Sequence, residues 1–141
     1  MPSPDTKPLI LIVDDDLDAA FLIRRLLSKS EVPHDCLHLG DGEKAIDYLV
    51  SSGAPDSKIS RPAAMLLDIK MPKVGGFDVL EWMRSSPRYA VPVMVLTTSD
   101  DPRDKERAEF FGADAFAAKF PPVEEFREHL EKLLGPRTTV G

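Results

Sequence analysis

The sequence predicts an α/β fold in which five parallel strands form one sheet covered by helices on both faces. Three observations point to it. Short, almost purely apolar runs recur along the chain: Leu9-Ile10-Leu11-Ile12-Val13, Ala64-Met65-Leu66-Leu67, Val93-Met94-Val95-Leu96 and the weaker Ala115-Phe116-Ala117-Ala118. Runs of that length bounded by polar residues suit strands buried on both faces, which is the habit of parallel sheets. The segments between them carry apolar residues at helical spacing, so strand and helix alternate five times. Each run also ends on groups able to do chemistry: Asp14-Asp15-Asp16, Asp68, Thr97 and Lys119.

Taken in order, the first strand runs into Asp16, a side chain suited to cap the helix that follows. That helix is predicted to turn Ala19, Leu22, Ile23, Leu26 and Leu27 inward. A weaker second strand is read over His34 to Leu39. Asp41-Gly42 opens a second helix with Ala45, Ile46, Leu49 and Val50 inward. Ser51 to Pro62, rich in Ser, Pro, Gly and charge, reads as a loop. After Asp68, Pro72 and Gly75-Gly76 mark a turn into a third helix with Val79, Leu80 and Met83 facing the core. Asp101-Pro102 sets an N-cap and a proline at the first position of the fourth helix. Gly112 ends that helix as a C′ glycine. Pro121-Pro122 precedes a fifth helix carrying Val123, Phe126, Leu130, Leu133 and Leu134, and Gly135-Pro136 stops it. Its stripe is first of all a core face, with part of it available to a dimer contact. Phe110 and Phe111 are adjacent, so one ring points in and Phe110 is the candidate for exposure.

Short links between alternating strands and helices imply right-handed crossovers. The flavodoxin-like (βα)5 strand order 2-1-3-4-5 would bring Asp14, Asp15, Asp68 and Thr97 together at the carboxyl ends of the strands, where open α/β sheets bind ligands. Residues 1–8 are read as an N-terminal extension, 9–134 as one domain and 135–141 as a short tail. A chain of 141 residues suffices for one core of this kind.

Composition narrows the function. The net charge is −6 and no Lys/Arg cluster stands out, which argues against nucleic-acid binding by this chain alone. No apolar stretch approaches the roughly 20 residues of a membrane helix, and the start lacks a signal-peptide pattern. A cytoplasmic protein is the expectation. The lone Cys36 fits a reducing compartment and reads as a small buried apolar side chain.

Three carboxylates in one crevice repel one another unless a proton or a cation relieves them. A hard divalent ion with oxygen ligands fits best, since Mg²⁺ takes one or two carboxylates and keeps waters for phosphate oxygens. His34, His38 and His129 are placed away from the strand ends, which disfavours a zinc-type site. Beside such an ion a carboxylate can act as nucleophile toward phosphorus. Asp68, alone at the end of the central strand, is the natural acceptor. Lys119 would neutralise charge from another side, and Thr97 would supply a hydroxyl.

These residues resemble the receiver domain of two-component response regulators. Leu11-Ile12-Val13-Asp14-Asp15-Asp16 is similar to the family's acidic pair, and Met65-Leu66-Leu67-Asp68-Ile69-Lys70-Met71-Pro72 to its phosphoacceptor strand. Gly75-Gly76 matches the following turn, Val95-Leu96-Thr97-Thr98-Ser99 the hydroxyl strand, and Lys119 the family's lysine. The resemblance spans about Leu9 to Leu134. It implies that Asp68 takes a phosphoryl group from the phosphohistidine of a sensor histidine kinase with Mg²⁺ bound. By the same match Asp15 is a direct metal ligand, Asp14 acts through water, and Asp68 and the Lys70 backbone carbonyl complete the protein's share. Thr97 and Phe116 would be the switch pair, with Phe116 working by packing alone because it lacks a tyrosine's hydroxyl. Lys70 and Ser99 occupy the positions that tune loss of the phosphate, so Lys70→Ala should change the decay rate of the phosphorylated protein.

Two departures stand out. The family's lysine is usually followed by proline, often in a cis bond, whereas this chain reads Lys119-Phe120-Pro121-Pro122. The Ser51 to Pro62 loop is longer than in minimal receivers and resembles single-domain regulators paired with bacterial phytochromes. Those relatives imply a stand-alone regulator that dimerises through the fourth helix, fifth strand and fifth helix.

Two other functions compete. A Mg²⁺-dependent phosphatase of the haloacid dehalogenase type also uses an aspartate nucleophile, as Asp-x-Asp. Here Leu17-Asp18 stands where its Thr or Ser belongs, and there is little room for a cap domain. A non-phosphorylated pseudo-receiver scaffold would not need the full set of Asp14, Asp15, Asp68, Thr97 and Lys119. The receiver reading therefore leads, as a signalling protein rather than an enzyme.

Overall fold

A computed structural model describes residues 7–135; residues 1–6 of the expected extension and 136–141 of the expected tail lie outside the described residues. The strands are β1 (Leu9–Val13), β2 (Asp35–Leu39), β3 (Ala64–Leu67), β4 (Val93–Thr97) and β5 (Ala115–Ala118). The helices are α1 (Leu17–Lys29), α2 (Gly42–Ser52), α3 (Gly76–Ser85), α4 (Pro102–Phe110) and α5 (Val123–Leu134), and Pro87–Tyr89 makes one 3₁₀ turn. All pairings are parallel and the order is β2-β1-β3-β4-β5. The predicted topology is the observed one.

Side chains of successive strand residues point to opposite faces, and each face has its own core. On one, Ile10, Ile12, Leu66, Met94 and Leu96 pack with Ile23 and Leu27 of α1 and with Phe126, Leu130 and Leu133 of α5. On the other, Leu11, Val13, Met65, Leu67, Val93 and Val95 pack with α2, α3 and α4 through Leu49, Leu80, Met83 and Ala108. The α5 stripe thus lies against the sheet.

Caps set the helix starts. Asp16, Asp41 and Asp101 each accept backbone N–H bonds at the head of α1, α2 and α4. At the end of α4, Gly112 takes φ +95°. Its N–H reaches Glu109 O and that of Ala113 reaches Ala108 O, the paired bonds of a Schellman motif.

Several finer expectations are corrected. β2 begins at Asp35, and α2 continues through Ser52, its last turn closed by the bond from the Gly53 N–H to Leu49 O. Leu22 and Val50 are exposed rather than inward. The small Ala20 takes the flank beside Ile23 that Leu22 was expected to fill. Phe110 is 67% exposed, with Arg84 over its ring, while Phe111 packs toward Phe77.

Candidate functional site

The parallel register carries the chemical groups to one end of the sheet. β1 lies between β2 and β3, and the N–H of Asp68 donates to Val13 O at 3.0 Å, so Asp14 and Asp68 leave adjacent strands side by side. Lys119 continues β5, and its N–H donates to Thr97 O at 2.9 Å. Carboxylate oxygens of Asp14, Asp15 and Asp68 lie within 4.8 Å of one another. Asp14 and Asp68 are buried and Asp15 is exposed, so the cluster opens to solvent on the Asp15 side.

The Lys119 ammonium lies 2.6 Å from Asp14 Oδ2 and 3.6 Å from Asp68 Oδ2. Among the described residues that ammonium is the partner of the fully buried Asp14 Oδ2, which receives no other hydrogen bond. Asp14 Oδ1 accepts from the N–H of Asp16 at 2.9 Å, and Asp68 Oδ1 from that of Lys70 at 3.3 Å. Burial pushes the Asp68 carboxyl above the ordinary range; Lys119 and the Lys70 N–H pull it back, Asp14 and Asp15 push further, and the balance is upward. Burial opposes the charged form of Lys119, but the Asp14 hydrogen bond and the charges of Asp68 and Asp14 outweigh it and hold the ammonium above its usual value.

Such a site has an excess of negative charge with one fixed cation inside. An all-oxygen donor set with an open side suits a hard divalent metal. Three carboxylates this close, with one ammonium already committed to Asp14, are a chemical fit to such an ion.

Thr97 is fully buried, and its Oγ1 accepts from the N–H of Ser99 at 3.1 Å. Phe116 is half-buried on β5 opposite Val95. Lys70 is exposed beside Asp68. The Ser99 hydroxyl is turned onto Asp104 of α4. Two groups escaped the sequence reading. Asp104 is one. The other is His38, expected away from the strand ends: its Nε2 lies 2.7 Å from Asp14 O and donates to it, since a carbonyl only accepts. The register Ile12–His38 puts it there, and nothing local in the sequence signals that pairing. Phe120 takes φ +62°, and no peptide bond among the described residues is cis, so the chain leaves Lys119 through a left-handed residue.

Comparison with known proteins places the chain in a family. The model of the response regulator receiver domain matches residues 10–131, and the chain belongs to that family. It is 34% identical over 127 residues to a probable methanogenesis regulatory protein, FilR2, of Methanothrix harundinacea, covering 89% of this chain and 80% of that one. It is 34% identical over 105 residues to the response regulator Rcp1 of Synechocystis sp., covering 72% and 71%. The Mn²⁺-bound structure of Rcp1 superposes with a TM-score of 0.71 at 26% identity, over 90% of this chain and 91% of that one. The bacteriophytochrome response regulator AtBRR superposes with a TM-score of 0.75 at 30% identity, over 91% and 93%. No helix among the described residues is long and apolar enough to cross a membrane.

Proposed function

We propose that this chain is a response regulator whose Asp68 accepts a phosphoryl group from the phosphohistidine of a sensor histidine kinase in a Mg²⁺-dependent reaction. One observation carries the reading: the Asp68 carboxylate lies 3.6 Å from a buried ammonium and beside two further carboxylates that can share a cation with it. Asp15, Asp68 and the Lys70 carbonyl would hold Mg²⁺ directly and Asp14 through water. The bound ion would neutralise charge on the transferring oxygens.

An Asp68 oxygen attacks phosphorus in line, the donor's P–N bond breaks as the O–P bond forms, and the freed imidazole takes up a proton. Lys119 is fixed by Asp14 where it can pair with a phosphoryl oxygen, and its raised affinity for its proton keeps it charged. Thr97 would swing its hydroxyl toward the new phosphoryl group, with Phe116 turning inward behind it. Lys70 and Ser99 would set how fast water removes the phosphate. Asp16 is used as a helix cap and Asp14 is locked to Lys119, which speaks against an Asp-x-Asp phosphatase.

The likeness to AtBRR supports a bacteriophytochrome as the kinase and, with it, a cytoplasmic setting. A homodimer through α4, β5 and α5 belongs to the same proposal, since β5 pairs on one side only. Residues 9–134 would be the phosphorylated domain. Intact mass after incubation with Mg²⁺ and acetyl phosphate tests the central claim. One added phosphoryl group on the wild type and none on Asp68→Asn is the expected result; no adduct on wild type overturns it.

A further inference from the structure

We infer that Asp104 is a positioning residue that holds the Thr97 hydroxyl in its resting orientation, acting through Ser99; the inference rests on the reading of Thr97 as the switch hydroxyl. Asp104 is the third residue of α4, and Asp101 is the N-cap. In an ordinary capping box the carboxylate at that third position accepts the N–H of the N-cap residue directly. Here a hydroxyl is interposed. The N–H of Asp101 donates to Ser99 Oγ at 3.2 Å, and Ser99 Oγ donates its proton to Asp104 Oδ2. The N–H of Asp104 donates to Asp101 O at 3.0 Å, closing the loop on itself.

The consequence lies one residue back. With its side chain clamped on both sides, Ser99 presents its own N–H to Thr97 Oγ1. Thr97 is fully buried, so this N–H fixes which of its staggered rotamers is populated. A χ1 rotation of Thr97 toward a phosphoryl group on Asp68 would break that bond. Asp104 therefore reaches the switch through one hydroxyl and one amide, at the junction of β4 and α4. Ser99, whose position the family resemblance links to loss of the phosphate, spends its hydroxyl on this contact. Lengthening or breaking the Ser99–Asp104 bond frees the amide, and with it Thr97.

The test reads Thr97 in the unphosphorylated protein, so it does not depend on phosphorylation. Three-bond couplings from the Thr97 methyl carbon to the backbone nitrogen and carbonyl carbon report its χ1 populations. Wild type is expected to hold one rotamer. Asp104→Ala should shift the rotamer ratio by roughly fivefold, the effect of losing one hydrogen bond. Asp104→Asn, whose amide oxygen still accepts, should restore the wild-type ratio. In a Ser99→Ala background Asp104→Ala should add nothing. A residue that merely caps α4 would lower thermal stability without moving Thr97. A single unchanged rotamer in Asp104→Ala, or a full effect persisting without the Ser99 hydroxyl, overturns the inference. A parallel acetyl phosphate assay, expected to run faster for Asp104→Ala than for wild type, fails for both proteins if Asp68 is not the acceptor.

Discussion

The two ends of the sheet are built on opposite principles. At the amino end the connection of residues 53–63 is held by bonds that relieve cost. Tyr48 donates its hydroxyl to Ser60 O, Arg61 donates to Arg88 O and Ala90 O, and Trp82 stacks on Tyr89 at 5.8 Å. Every charge named there is exposed and free to be hydrated. At the carboxyl end Asp14, Asp68 and the Lys119 side chain are buried together, and the carboxylates outnumber the cation. One end is arranged for stability, and the other keeps an unrelieved charge at the site proposed for a cation and a phosphoryl group. Proteins commonly give up stability where chemistry is done.

The sharpest way to break that contrast is to remove the one cation. Lys119→Met should cost about 3 kcal/mol, because it strands the buried Asp14 Oδ2 without a partner; urea unfolding would measure it. Wild type should keep the contribution of this pair up to strongly alkaline pH. Lys119 has a raised folded-state value, so its stabilisation is present below the ordinary lysine range and is lost only as pH rises through the raised one.

Gly76→Ala comes next, at about 2 kcal/mol of destabilisation from forced overpacking. A Cβ there would stand 2.5 Å from Asp68 O and 2.6 Å from Ile69 Cα. The same strain should slow phosphorylation, since it displaces the backbone that carries Asp68.

Asp68→Asn should have the opposite sign and stabilise by on the order of 1 kcal/mol at neutral pH. The Asp68 carboxyl titrates above its unfolded value, so wild type is favoured at acid pH and loses stability as pH rises through the raised value. The variant does not titrate there. Its advantage should vanish below the ordinary aspartate value of about 3.9 and grow above it, which melting temperatures across acid pH would show. A variant less stable than wild type at every pH would sink the claim that Asp68 is held at a cost.

The smallest effect belongs to the amino end. Arg61→Ala should lower stability by about 0.5 kcal/mol, as expected for exposed bonds to carbonyls, and leave the rate of phosphorylation by acetyl phosphate unchanged.

The same contrast explains what could be read in advance. The apolar runs mark their own ends, so the positions after Val13, Leu67, Leu96 and Ala118 are legible as the rim of a parallel sheet. Helix faces are less so: Leu22 and Ala20 both border the inward direction of α1, and only the space left by α5 decides between them. His38 and Asp104 were invisible for another reason. Each contacts the site through a main-chain group or another residue's hydroxyl, and such contacts depend on register and loop path rather than on residue type.

The pairing of Asp14 with Lys119 has a consequence for how the chain assembles. Its two members belong to the first and the last strand in sequence, and contacts between such distant segments form late because the loop they close is long. Without β5 the two acids that follow β1 and β3 would lack the Lys119 counter-charge. β5 is a four-residue edge strand, with Phe116 half-buried and Ala118 exposed, and it has little apolar surface of its own to drive docking. The Lys119 ammonium just past the strand adds an electrostatic attraction to the β4–β5 ladder and to the packing of α5. The residue proposed to meet the phosphate thus also ties the last strand to the first, and a chain lacking β5 would contain the acids but not the proposed site.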